Sequence, residues 1–116
     1  MRHQMKLFRE PFFRIKEMKK IIEVRLFDEK RQKVSIGDEI EFSLIDNPNE
    51  KIIVEVVGLS KFKTFEELYS NFHYSMFGHP HGTALRDQVK DIRGRYPKEK
   101  EEEYGCLGIH IRLINN

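Results

Sequence analysis

At 116 residues the chain has room for one domain and one hydrophobic core, held without disulfide or metal staples. Charged residues make up 34% and hydrophobic residues 39%, which excludes a disordered chain, and no run approaches the roughly 20 apolar residues that cross a bilayer. The net charge of +2 is unevenly spread: residues 1–33 carry 11 Lys/Arg against 5 Asp/Glu, residues 34–60 carry 1 against 6, and a polyanion would meet the N-terminal third first.

Met5 to Phe8 reads as a short strand. It leads into Glu10-Pro11-Phe12-Phe13-Arg14-Ile15-Lys16, where proline suits the first turn of a helix and Phe12, Ile15 and Met18 fall at helical spacing. From Lys20 to Phe27 the period changes to two: Ile22, Val24 and Leu26 alternate with Glu23 and Arg25, which predicts a strand with two different faces. Residues 28–33 form a polar loop or single helical turn, Ile36-Gly37-Asp38 a turn, and Glu39 to Leu44 a second alternating strand.

The turn signal Asp46-Asn47-Pro48-Asn49-Glu50 separates that strand from the β-branched run Lys51 to Leu59. The two runs predict an antiparallel hairpin, the second strand central in a barrel. Thr64 with Glu67 has the form of a capping box, opening a short helix through Leu68, Tyr69 and Phe72. Ser75 to Gly82 has no period and is the longest expected loop. Thr83 is expected to cap a helix in which Leu85, Val89, Ile92 and Tyr96 make the apolar stripe, and Pro97 ends it. Lys98 to Glu103 reads as a solvated turn of helix, and Tyr104 to Leu113 as the last strand. The sum is an α+β fold: a small barrel of about five or six strands with two or three flanking helices, in one domain spanning residues 1–116.

Lys19 to Leu26, Asp28 to Arg31 and Val34 to Phe42 resemble the opening half of an ASCH domain; Tyr96-Pro97, Glu102 to Gly105 and Leu107 to Ile111 resemble its closing half. The order and spacing carry the resemblance across nearly the whole chain. ASCH domains are similar to PUA domains, small pseudo β-barrels of RNA-associated proteins, so the resemblance implies a cleft between sheet and helices and an RNA or nucleotide ligand. Some small members deacylate N4-acetylcytidine with a lysine, a threonine three residues on and a distant glutamate, and nuclease activity has been attributed to another. Lys20 matches that lysine, Glu23 stands at the threonine, and the loop with His79 and His81 falls where the glutamate belongs.

Glu23 and Arg25, two apart on a strand, share a face, and together they can accept from a base edge and donate to a phosphate. Lys20 can hold a phosphate; Lys20 and Glu23 are the catalytic candidates if the chain is an enzyme. Arg31, with Lys30 and Lys33, and Arg86, Lys90 and Arg93 on one side of the later helix, are candidate backbone-phosphate contacts. His79 and His81 are expected near the cleft. No metal or other cofactor is expected, because no Cys or His cluster accompanies the pair.

Cys106 reads as buried and inert, His110 as a strand-surface histidine, and the aromatics from Phe62 to Phe77 mainly as core. The lone cysteine suits a reducing compartment, and the N-terminus lacks a signal-peptide pattern, so the expected location is cytoplasmic. The expected function is an RNA- or nucleotide-binding module; the alternative is a small hydrolase, either an amidohydrolase of a modified nucleoside or a ribonuclease.

Overall fold

Five runs of period two become five strands in the computed structural model, which describes residues 1–115. They are β1 (Arg2–Leu7), β2 (Ile22–Leu26), β3 (Glu39–Leu44), β4 (Lys51–Phe62) and β5 (Cys106–Asn115). The sheet order is β1-β3-β4-β5-β2, every pair antiparallel except β1 with β3. Four α-helices pack beside the sheet: α1 (Arg9–Lys16), α2 (Phe65–Ser70), α3 (Leu85–Arg93) and α4 (Lys98–Tyr104), with 3-10 turns at Arg31–Lys33 and Tyr74–Phe77. This is the expected α+β half-barrel, with four helices where two or three were expected.

The hairpin of β3 and β4 forms at the predicted turn, where the Glu50 N–H donates to the Asn47 carbonyl and the Leu44 N–H to Glu50. β4 is central and twelve residues long, and its register shifts at Ile53/Val54 and Val56/Gly58. Such irregularities bend a strand and raise its twist, which curls the sheet. The turn before β3 is pinned by the Asp38 carboxylate, which takes the Ser35 N–H at 3.0 Å and His3 Nε2 at 2.8 Å.

Two apolar cores result. Inside the curl, Met5, Leu7, Ile40, Phe42, Val54, Ile109 and Ile111 pack with Phe12 and Ile15 of α1. Outside it, Ile22, Val24 and Leu26 pack with Phe65, Leu68, Tyr69, Phe77 and Ile92 from α2, the second 3-10 turn and α3. β2 is therefore buried on both faces. The face carrying Glu23 and Arg25 points into the curl, opposite Ile109 and Leu107 of β5.

Three local expectations need correction. Met18 does not extend the α1 stripe: the helix stops at Lys16, and Met18 takes a left-handed φ of 61° and is 71% exposed. That reversal lets the Lys19 and Lys20 N–H groups both donate to the Arg14 carbonyl and turns the chain toward β2. Thr83 is not the cap of α3; Ala84 holds that position, and the Thr83 hydroxyl donates to the Pro80 carbonyl at 2.7 Å. The run Lys98 to Glu103 is a true helix with one buried carboxylate, since Glu101 is 4% exposed. Its Oε2 accepts from the Phe65 N–H at the start of α2 at 2.7 Å, and its Oε1 accepts from Arg93 at 2.9 Å.

Thr64 caps α2 as the sequence predicts, accepting from the Glu67 N–H at 3.1 Å. Glu101 therefore supplies a second, distant cap to the same helix. Replacing Glu101 with Gln keeps its shape but removes the charge that strengthens both hydrogen bonds. Chemical denaturation is expected to show a loss of about 2 kcal/mol with an unchanged m-value.

Candidate nucleotide-binding cleft

The outer end of β2 opens into a cleft of about 330 Å3. Its walls come from α1 (Glu10 in its first turn, Arg14 in its last), the loop after the second 3-10 turn (His79, Pro80) and α3 with the residues just beyond it (Asp87, Asp91, Arg95). Lys20 and Glu23 line it from the β2 side, and Tyr69 and Phe77 from the outer core.

Glu23 is 1% exposed, and an ionised carboxylate there survives only if its charge is met. Lys20 Nζ lies 2.8 Å from Oε1, and Arg25 Nε donates to Oε2 at 2.6 Å. Burial pushes the carboxyl pKa up, but the charges and hydrogen bonds of Lys20 and Arg25 outweigh it and bring it from 4.5 to about 2. Burial likewise works against the Arg25 charge, and Glu23 more than restores it. Arg25 also donates through Nη2 to the Lys6 carbonyl of β1 at 2.9 Å. The predicted Glu23–Arg25 pair is thus real and same-faced, but Arg25 is turned away from the cleft into the barrel wall.

Gly78 explains how the loop reaches Lys20. Its φ is +80°, and a Cβ there would meet Lys20 Cβ at 3.0 Å and Arg14 Cδ at 3.1 Å. Only glycine permits both the left-handed turn and the close pass. The loop then delivers His79 into the cleft beside Tyr69, ring centroids 6.1 Å apart. Burial holds the His79 imidazole below its ordinary pKa, the nearby Lys20 charge adds to this, and Asp91 opposes it. A neutral ring offers one donor and one acceptor nitrogen. His81 is exposed and outside the cleft lining, its Nδ1 bonded to the Tyr74 hydroxyl at 2.9 Å.

The other sequence candidates fall elsewhere. Arg86 and Lys90 are exposed on the side of α3 away from the cleft, and Arg93 is committed to Glu101 and lies over the Phe65 ring. The side of α3 that faces the cleft carries Asp87 and Asp91 instead. Arg31 pairs with Asp28 at 2.9 Å beside a different opening. Glu10, Arg14, Asp87, Asp91 and Arg95 were missed because each looks like ordinary helix-surface charge. Asp87 and Asp91 share a signal, their i, i+4 spacing on α3, which sets them on one face, and Arg95 follows four residues on, just past the helix end. His110 is half-buried rather than on the strand surface, sharing a hydrogen bond with the Ser60 hydroxyl at 2.8 Å. Cys106 is buried, with burial pushing its thiol up to about 12, as an inert cysteine requires. Among the described residues no group of His, Cys, Asp or Glu could hold a metal ion.

Because the folded-state pKa of Glu23 lies below 4.5, its contribution to stability is complete above about pH 4.5 and is lost as pH falls toward 2. Asp38, held at about 2 by His3 and the Ser35 N–H, titrates in the same window, so the two are separated by mutation. Glu23→Gln leaves two cations facing each other without their carboxylate. It is expected to cost about 3 kcal/mol, roughly 10–20 °C in Tm at neutral pH, and to flatten the acid limb of a stability–pH profile measured by thermal melts.

The sequence model of the ASCH domain matches residues 5–115. Among solved structures the chain is similar to the hypothetical protein PH0355, with a TM-score of 0.88 and 33% identity over 98% of this chain and 100% of that one. It is also similar to protein PF0455 from Pyrococcus furiosus, with a TM-score of 0.77 and 29% identity over 100% of both chains. Among curated proteins it is 28% identical over 90 residues to GTPase Der of Listeria innocua and of Listeria monocytogenes, a match covering 72% of this chain and 20% of those proteins. The chain spans about a fifth of the length of these curated relatives, and it contains no Gly-x4-Gly-Lys-Ser/Thr phosphate loop. With a family match over residues 5–115 and a 33% identical structural relative covered along its full length, the chain belongs to the ASCH domain family.

Proposed function

We propose that this chain is an RNA- or nucleotide-binding ASCH module whose cleft receives one nucleoside unit. The ASCH assignment supports RNA as the ligand class at the level of the family. The observation that carries the reading to this cleft is its mixed wall. A volume of about 330 Å3 lies at the small end of ligand sites, typically ~300–1,000 Å3, and suits one base with its sugar rather than a helix. Asp87 and Asp91 offer acceptors for base amino groups, while Lys20, Arg14 and Arg95 offer donors for carbonyls and phosphate. Phe8 at the lip is 54% exposed, with the Arg95 guanidinium 4.8 Å above its ring, a platform on which a base can stack.

The hydrolase alternative asks Lys20 to act as a base. Lys20 Nζ, 2.8 Å from a buried carboxylate, is already engaged in an ion pair, which favours recognition over proton abstraction.

At low ionic strength the four nucleoside 5′-monophosphates are expected to include at least one that binds saturably. His79→Ala and Arg95→Ala are each expected to weaken that binding roughly tenfold, on the scale of a lost base-stacking contact, while leaving thermal unfolding unchanged. Absence of saturable binding by all four overturns the reading. Acetate release from N4-acetylcytidine that disappears in Lys20→Met would replace it with the hydrolase.

A further inference from the structure

We propose that the seam between β1 and β2 is a second site, separate from the cleft, that binds consecutive phosphates. β1 and β2 are the two edges of the sheet, and no backbone ladder joins them. Side chains span the gap instead: Arg25 reaches the Lys6 carbonyl at 2.9 Å, and Lys30 Nζ reaches the Gln4 carbonyl at 2.7 Å. An opening of about 530 Å3 lies over these contacts.

Its charge differs from that of the cleft. Lys6, Arg25, Lys30, Arg31 and Lys51 line it against one carboxylate, Glu41, which lies 3.6 Å from Lys51. Arg25 and Arg31 are backed by Glu23 and Asp28. Lys6 and Lys30 have no carboxylate partner among the described residues. Arg31 gives one N–H to Asp28 while its buried Nε has no acceptor, so the guanidinium carries more donors than the protein satisfies. Burial, with Arg31 and Arg25 beside it, lowers the pKa of Lys30, and the Asp28 charge offsets this only in part.

The geometry suits a chain of phosphates better than a single anion. Lys30 and Arg25 are anchored at carbonyls two residues apart on one strand, about 6.6 Å along it, which is the order of the phosphorus repeat in an extended phosphodiester and of every second phosphorus in a polyphosphate chain. Lys6 and Lys51 extend the same positive strip on the other side. Free polyphosphate and a nucleic-acid backbone share this chemistry, and the two are separable by experiment.

Inorganic tripolyphosphate carries no base, so its binding is independent of the cleft. Titrated into 15N-labelled protein at low salt, it is expected to shift the amides of residues 4–6, 30–31 and 51. Lys6→Gln/Lys30→Gln is expected to weaken it roughly tenfold with an unchanged melting curve and unchanged nucleoside monophosphate binding, because neither lysine supports the core. Shifts confined to residues 20, 79, 87 and 91, no shifts at all, or wild-type affinity in the double variant would overturn the site. A short oligouridylate identifies the source: for a strand in the seam, the slope of log affinity against log salt is expected to fall by about 0.7 for each lost contact. An unchanged slope with weakened tripolyphosphate binding assigns the seam to free polyphosphate. Failure of nucleotide binding at the cleft leaves the seam standing, and the reverse, since each has its own ligand and its own variants.

Discussion

A carboxylate sealed inside a barrel wall governs this molecule. Glu23 is buried on the inner face of β2, paired in register with the apolar Ile109 of β5. Its charge dictates two more, Lys20 on one side and Arg25 on the other. Because Arg25 must stay beside Glu23, its remaining donors are aimed across the open edge, and the edge is drawn closed on β1. Because Lys20 must stay there too, the loop that passes over it needs glycine at position 78 and carries His79 into place. One buried charge thereby orders the cleft, the seam and the loop between them. It also ties the two openings together, since Glu23 lines one and Arg25 the other.

Strand identity was legible from residues 20–27, 39–44 and 51–59 because period-two alternation follows directly from the pleat, and the observed strands fall there. The centrality of β4 was legible from its β-branched, near-continuous apolarity, which an edge strand exposed to water does not carry. The pairing of Glu23 with Arg25 followed from spacing alone. Spacing could not show that Arg25 faces away from the ligand cleft, because that depends on which distant edge lies opposite it. Glu101 illustrates the same limit: within Lys-Glu-Lys-Glu-Glu-Glu nothing distinguishes it, and only the arrival of α2 and Arg93 makes it a buried cap. Asp87 and Asp91 read in the sequence as solvated helix charge, and only the placement of α3 sets them on the cleft wall.

The family assignment and the site residues bear on one another in an instructive way. At position 23 this chain has a carboxylate where the deacylating relatives are expected to have a threonine. A hydroxyl would leave the lysine without a counter-charge; here a buried carboxylate holds it in an ion pair at 2.8 Å. A fold of this kind fixes where such charges stand, not which ligand or reaction they serve.

The sheet order carries a consequence for how the chain assembles. β5, the last strand in chain order among the described residues, is inserted between β4 and β2, so β2 has no strand partner until residues 106–115 arrive. Until then Ile22, Val24 and Leu26 wait unpaired, and the helices that cover them have no finished surface on which to settle. Contacts joining residues 22–26 to 106–110 are among the most distant in the chain, and such closure is slow. Folding of this domain therefore waits on β5, and a chain cut short before residue 106 is left with an unpaired strand, apolar on its Ile22, Val24 and Leu26 face, that invites association with its neighbours.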